Sequence, residues 1–412
     1  MRLGLWLCLA CGVAPGGQLA PSSGEMLQRI REKMAEHLAR LPNYTCRLTI
    51  ERTVRLPTSR QFRPYDTLRM EVAYVGGKEL YSWPGAGRFE DKRIDQLVEG
   101  GATSSGGFAL HAWAIFRTSD PTFTRLENEL RDGRATLRCD FEVPRDRSHF
   151  LIRSGKQSAV AGYHGSFWVN AKTLEPLRLE VSTDDIPPQL EVAQTTNIIT
   201  YGPARIGEGD FVLPLSSELV MQEASGAVIR NHTRLDACRQ YLGESVVSFG
   251  EPVSAPATAR TVTTVRLPPN LVLSLMLETA IDTGQAAIGD PVTATVSANV
   301  RKDGAVLVPR GATVRGRITR RESRRVRAGT FQVIGLRFLA VEFGDTRAEF
   351  TGVLEEVWGA LPFSGGGRPQ VLKPGAPPLK PRPGEGFLLL RGDPARLPAG
   401  LRMQWRTVAR KP

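Results

Sequence analysis

The chain has 412 residues, of which 41% are hydrophobic and 23% charged. These are ordinary globular values, so they exclude a chain too polar to bury a core, and the length allows two or more domains. The 41 Gly and 29 Pro suit a β-rich chain with many turns, and the net charge of +12 favours anionic surfaces such as lipid head groups or lipopolysaccharide.

Met1 to Ala20 has the pattern of an export signal. Arg2 supplies a positive start, Leu3 to Ala10 is a short apolar run, and Gly16-Gly17-Gln18-Leu19-Ala20 offers small residues for cleavage. The apolar run is too short to span a bilayer. A periplasmic or secreted protein is expected. Cys11, within Leu9-Ala10-Cys11-Gly12, leaves lipid anchoring open as a second route.

Beyond the signal lie Cys46, Cys139 and Cys238. An odd number in an oxidising compartment predicts one disulfide and one free thiol. Cys46 with Cys238 is the candidate pair. Cys139 alternates with Leu137, Phe141 and Val143, which suits a buried core thiol. Pairing of Cys139 with Cys238 stays open from sequence. No close Cys or His pair has metal-ligand spacing, so no metal or cofactor is expected.

Residues 24–250 read as a first domain. Ser22 and Glu25 are spaced as a capping box, and Leu27, Ile30, Met34, Leu38 and Leu41 follow at helical spacing until Pro42 stops the run. Tyr44, Cys46, Leu48 and Ile50 then alternate as a strand. So do Leu68, Met70, Val72 and Tyr74, up to a hairpin turn at Gly76-Gly77. The Gly-, Ser- and Thr-rich loop from Gly100 to Gly107 leads into an apolar, helical stretch from Phe108 to Phe116. No Gly-Lys-Ser/Thr follows, so the loop reads as a lid or hinge rather than a phosphate cradle. From Phe123 onward strand candidates succeed one another to Ala237, with turns at Asp132-Gly133 and Ser225-Gly226.

The predicted fold class is mainly β: a large curved antiparallel sheet with covering helices, then a small β-barrel or sandwich. Over residues 25–240 the order of elements resembles the LolA-like superfamily, which includes lipoprotein carriers and RseB-type sensor domains. The resemblance implies an apolar cavity between sheet and lid that can hold acyl chains. Trp83, Phe108, Trp113, Phe116 and Trp168 are its candidate lining.

Residues 251–260 are a linker by composition, and 261–412 read as the second domain. Its signature is Leu271 to Leu277, then Gly289-Asp290-Pro291-Val292-Thr293-Ala294, then Val306-Leu307-Val308-Pro309-Arg310-Gly311-Ala312. Val314, Gly316 and Ile318 alternate with Arg315, Arg317 and Thr319, giving one apolar and one charged face. Over residues 268–357 this order resembles the C-terminal β-barrel domain of the TrbI family of conjugation and type IV secretion proteins. The resemblance implies an envelope protein partner. It does not imply a pore, because Phe350 to Val357 runs into Gly359-Ala360-Leu361-Pro362 without the inserted apolar helix of pore-forming members.

Arg315, Arg317, Arg320, Arg321, Arg324, Arg325 and Arg327 crowd one stretch, with Glu322 as its one acid. Thr330 to Phe343 reads as two further strands, so the cluster is expected at a hairpin tip. There it is either a solvated turn that blocks edge pairing or a patch for an anionic surface. Stacking aromatics are missing beside these arginines, and no nucleic-acid partner is expected. Residues 362–385, rich in Gly and Pro, read as a disordered loop.

No His-Glu-x-x-His, Gly-x-Ser-x-Gly, Walker or Ser-x-x-Lys pattern occurs, and the five histidines are scattered singly. The expectation is an exported, non-catalytic bacterial envelope protein that binds an apolar ligand, a lipid or a lipoprotein. The alternative is a structural or scaffold component of a secretion-like assembly that docks through the second domain.

Overall fold

The computed structural model describes residues 23–86, 89, 91–98, 100–103, 112, 115–116, 121–154, 157–183, 185–241, 263–326, 329–358, 363–365 and 382–409. The expected export signal, the linker and the hairpin tip at Arg327 lie outside the described residues, as do Phe108 and Trp113.

The chain enters through helix α1 (Ser23–Arg40), which buries Ile30, Met34 and Leu38. Their spacing of four residues puts all three on one face. Burying each contributes about 1.5–3 kcal/mol. The strands that follow are β1 (Tyr44–Arg55), β2 (Arg63–Val75) and β3 (Lys78–Ser82), then the single-turn α2 (Ile94–Leu97). Next come β4 (Thr122–Arg131), β5 (Arg134–Val143), β6 (Leu151–Ser154), β7 (Gln157–Val160), β8 (Tyr163–Asn170) and β9 (Pro176–Thr183). Three long strands close this half: β10 (Val192–Ile206), β11 (Gly209–Glu223) and β12 (Val228–Gln240).

Ten of these strands form one antiparallel sheet, ordered β3-β2-β1-β12-β11-β10-β9-β8-β5-β4, while β6 and β7 make a separate hairpin. The turns follow the sequence. Gly76 and Gly77 have φ of 56° and 81°, and Asp132 and Gly133 have 49° and 74°. Both central residues at positive φ fit the tight hairpin turn that matches strand twist. Leu137, Cys139, Phe141, Phe167 and Leu179 point to the face that α1 covers. Tyr44, Leu48, Met70 and Tyr81 form a neighbouring cluster with Ile94 of α2.

Because β1 pairs with β12, the two ends of this half meet. A disulfide joins Cys46 to Cys238 there, with a Cα–Cα distance of 4.1 Å. The register shifts between Thr45 and Arg47, and this irregularity accommodates the bridge between neighbouring strands. Cys139 is a buried free thiol.

The second half contributes β13 (Thr263–Arg266), β14 (Val272–Leu277), β15 (Ile281–Asp282), β16 (Pro291–Val296), β17 (Val300–Lys302) and β18 (Ala305–Val308). These are followed by β19 (Thr313–Val326), β20 (Gly329–Phe343), β21 (Thr346–Glu349) and β22 (Gly352–Trp358). The last strands are β23 (Phe363–Gly365), β24 (Gly386–Arg391), β25 (Arg396–Leu397) and β26 (Arg402–Thr407). The main path is β13-β21-β20-β19-β16-β14-β26-β22, with β24 on β20 and β23 on β24. The sheet curls until β22 approaches β24: a Cβ added to Gly386 would lie 2.3 Å from that of Leu354. Leu273, Leu275, Val292, Val314, Phe338 and Trp405 fill the interior.

Thr330 to Phe343, expected as two strands, is the single strand β20. It pairs with β19 from Val326↔Gly329 to Thr313↔Glu342. Gly335 in its middle makes room rather than a break. A Cβ there would sit 2.2 Å from Glu385 Oε1.

Candidate functional site

The two sheets meet where Ile288-Gly289-Asp290 is threaded between β2 and β19. Ile288 N–H donates to Thr67 O at 2.8 Å, and Arg69 N–H donates to Ile288 O at 2.8 Å. On the other side Gly289 N–H donates to Ile318 O at 2.8 Å, and Ile318 N–H donates to Asp290 O at 2.9 Å. Gly289 has φ of 103°, and a Cβ there would come within 2.1 Å of Arg69 O and 2.7 Å of the Trp83 ring. Glycine is required on both counts. Asp290 completes the junction: its carboxylate accepts from the Arg69 guanidinium and, at 2.8 Å, from Ala287 N–H.

Beside this junction lies a cleft of about 360 Å³. Tyr65, Leu68, Trp83, Leu97, Val98 and Ile288 form an apolar wall. Arg317, Arg320, Arg321, Arg324, Arg337 and Arg382 also line it, as does Arg52, which lies over the Tyr65 ring. The acids in the lining are Asp66 and Glu322. The cleft is therefore amphipathic and strongly cationic, and its volume is that of a small-ligand site.

Several of these arginines are paired with acids or backbone carbonyls. Arg52 is buried and donates two bonds of 2.6 Å to the Asp66 carboxylate and one of 2.7 Å to Gly100 O. Arg320 donates at 2.8 Å to Glu385, whose carboxylate also accepts from the Thr319 hydroxyl at 2.8 Å and Arg382 N–H at 2.9 Å. Glu385 is wholly buried, and these donors satisfy it. Arg324 pairs with Glu322 at 2.5 Å, and Arg321 donates to Thr283 O at 2.8 Å. Arg317 lies over the Trp83 ring, 5.0 Å from its centre. Burial, and then the neighbouring Arg337, push its guanidinium down to about 10. It remains a cation at neutral pH, held where a cation is disfavoured.

The arginine cluster is divided within β19, where register shifts at Arg315/Gly316 and at Ile318/Arg320 break simple alternation. Arg317, Arg320, Arg321 and Arg324 line the cleft. Arg315 points away and pairs with Glu342 at 2.5 Å, and Arg325 is exposed. The candidate aromatics are likewise separated. Trp83 lies in the cleft wall. Phe116 is in the core beneath α1, edge-on to Phe167 at 4.9 Å. Trp168 is buried among the Arg131, Arg138 and Arg178 guanidiniums and donates to Glu129 at 2.8 Å. Sequence reasoning missed Arg52, Arg337 and Arg382. Of these only Arg337 left a trace: it lies about as far beyond the hairpin tip as Arg317 lies before it.

No family model matches the chain, and no curated protein matches it. Among the solved structures similar to it are two of bacterial proteins. One is an outer membrane lipoprotein-sorting protein domain from Vibrio parahaemolyticus, at 12% identity and a TM-score of 0.31, covering 52% of this chain and 94% of that one. The other is a DUF1329 family protein from Desulfovibrio piger, at 10% identity and a TM-score of 0.28, covering 53% and 93%.

Proposed function

We propose that this is an exported envelope protein that binds an amphiphilic ligand, a lipid or the lipid-bearing part of a lipoprotein, and performs no chemistry on it. The observation that carries the reading is the cleft between the sheets, lined by Leu68, Trp83, Leu97, Val98 and Ile288 and by arginines. A lining both apolar and cationic complements a molecule with one greasy and one anionic end. A binding role is favoured over a catalytic one because the two acids of the lining, Asp66 and Glu322, are each tied to an arginine. Among the described residues the lining contains no histidine or cysteine that could act as base or nucleophile. The disulfide between Cys46 and Cys238 supports an oxidising compartment.

The test is to express the full chain with export into a bacterial periplasm, purify it without detergent, and analyse it by native mass spectrometry and organic extraction. A lipid-sized adduct is expected. Its absence, together with failure to bind an added fluorescent fatty acid, overturns the reading.

A further inference from the structure

Arg317 and Arg337 stand directly opposite each other on β19 and β20. Like charges at opposed positions of a strand pair destabilise the sheet. The usual remedy is an acid between them, yet neither forms an ion pair among the described residues, whereas Arg52, Arg320 and Arg324 beside them each have one. Arg337 donates to Pro383 O at 3.0 Å, while its Nε is buried with no hydrogen-bond partner. A buried donor without a partner is destabilising. Both side chains line the cleft, and Trp83 flanks Arg317. Two cations with no acid between them therefore line one cleft, with apolar side chains nearby.

We infer that Arg317 and Arg337 seat a phosphate monoester, and that the ligand is an amphiphile whose apolar part lies against Trp83, Leu68 and Ile288. This rests on the binding role proposed above and names the chemistry of the head group. A phosphate monoester carries about −1.5 to −2 charge near neutral pH, which matches two guanidiniums. A carboxylate would neutralise only one of them. Arginine binds phosphate through paired N–H groups, and Arg317 and Arg337 both line the cleft. The phosphate monoester is shared by anionic lipids and by soluble esters, and the experiment separates these sources.

The test uses the full disulfide-bonded chain and isothermal titration calorimetry with three probes: hexyl phosphate, inorganic phosphate and hexanol. Hexyl phosphate is expected to bind best. Arg317→Gln and Arg337→Gln should each weaken it by about tenfold or more, the effect of losing a charged hydrogen bond. Arg325→Gln, exposed on the same strand, should leave it unchanged. Arg337→Gln should also leave the melting temperature of the free protein unchanged or raise it, because it removes a repulsion; a purely structural arginine would lower it. If a glutamine variant does not fold, Arg337→Lys keeps the charge, loses the fork, and should bind more weakly than wild type. Equal binding by wild type and both glutamine variants overturns the inference, as does hexanol binding as tightly as hexyl phosphate. That second outcome would leave the apolar-ligand reading standing. If inorganic phosphate binds as tightly as hexyl phosphate, the arginine pair stands and the amphiphile reading fails. Co-sedimentation with vesicles containing phosphatidate, but not with pure phosphatidylcholine vesicles, assigns the head group to a lipid. Hexyl phosphate binding without co-sedimentation assigns it to a soluble ester.

Discussion

Asp290, immediately before β16, forms an ion pair with Arg69 on β2. Both side chains are partly buried, and the pair sits directly on the backbone bonds that Ile288 makes with Thr67 and Arg69. The charge contact thus guards a junction that the main chain builds, and the cleft beside it depends on that junction.

The residue on which the junction turns is Gly289. Replacing it with alanine places a Cβ against the Arg69 carbonyl at a positive φ. Strain of about 1–3 kcal/mol is expected, relieved only by parting the strands. Calorimetry should show a lower melting temperature, and hydrogen exchange at Arg69 and Ile288 should quicken. An unchanged exchange rate at these two amides would show that the junction is not closed in solution.

The buried Arg320–Glu385 pair should be a point of high sensitivity. Glu385→Gln leaves the Arg320 guanidinium without its counter-charge in a buried position. A loss of about 3–5 kcal/mol in denaturant unfolding is expected. A loss below about 1 kcal/mol would mean that water reaches the pair.

Thiol chemistry separates Cys139 from the Cys46–Cys238 pair. Burial pushes the Cys139 thiol up to about 12, so it should resist thiol reagents in the native protein and react once per chain in denaturant. Reducing the Cys46–Cys238 bridge, which spans a sequence separation of 192, should cost about 5 kcal/mol on the chain-entropy model. Ready labelling of Cys139 itself in the native protein, located by peptide mapping, contradicts its burial.

Glu71 gives a pH dependence with a definite sign. Burial is the main cause raising its carboxyl from 4.5 to about 7. The folded state then holds a proton that the unfolded chain has released, so stability falls as pH rises from about 4.5 to about 7. The contribution is on the order of 3 kcal/mol when complete. Glu71→Gln should flatten the slope in that window and raise the melting temperature at neutral pH. An identical slope in the variant would move the effect to another group.

Much of the architecture was legible because its causes are local. The spacing of Ile30, Met34 and Leu38 announced a helix with one buried face, and the alternation around Cys139 announced a strand with that thiol inward. Gly76-Gly77 and Asp132-Gly133 announced their turns, since positive φ at two successive positions leaves few residue choices. The strand of Trp168 shows where such reasoning runs out. Trp168 reads as a candidate for the apolar cavity lining, yet adjacent residues point to opposite faces, and it is Phe167 that joins the cluster under α1.

Sequence by itself therefore determined the β-rich class, the opening helix, the tight turns and the cysteines available for a bridge. Each follows from periodicity of 2 or 3.6, from backbone sterics, or from counting. Only the tertiary structure decided which arginines became partners of acids and which were left facing each other. Arg315, Arg317 and Arg320 are near neighbours in one strand, but their fates depend on Glu342, Trp83 and Glu385, which reach them from distant parts of the chain. The cleft has the same origin. Trp83 and Arg317 are brought together by strand pairing and by one glycine that lets two sheets touch, and neither cause has a period that can be read along a chain.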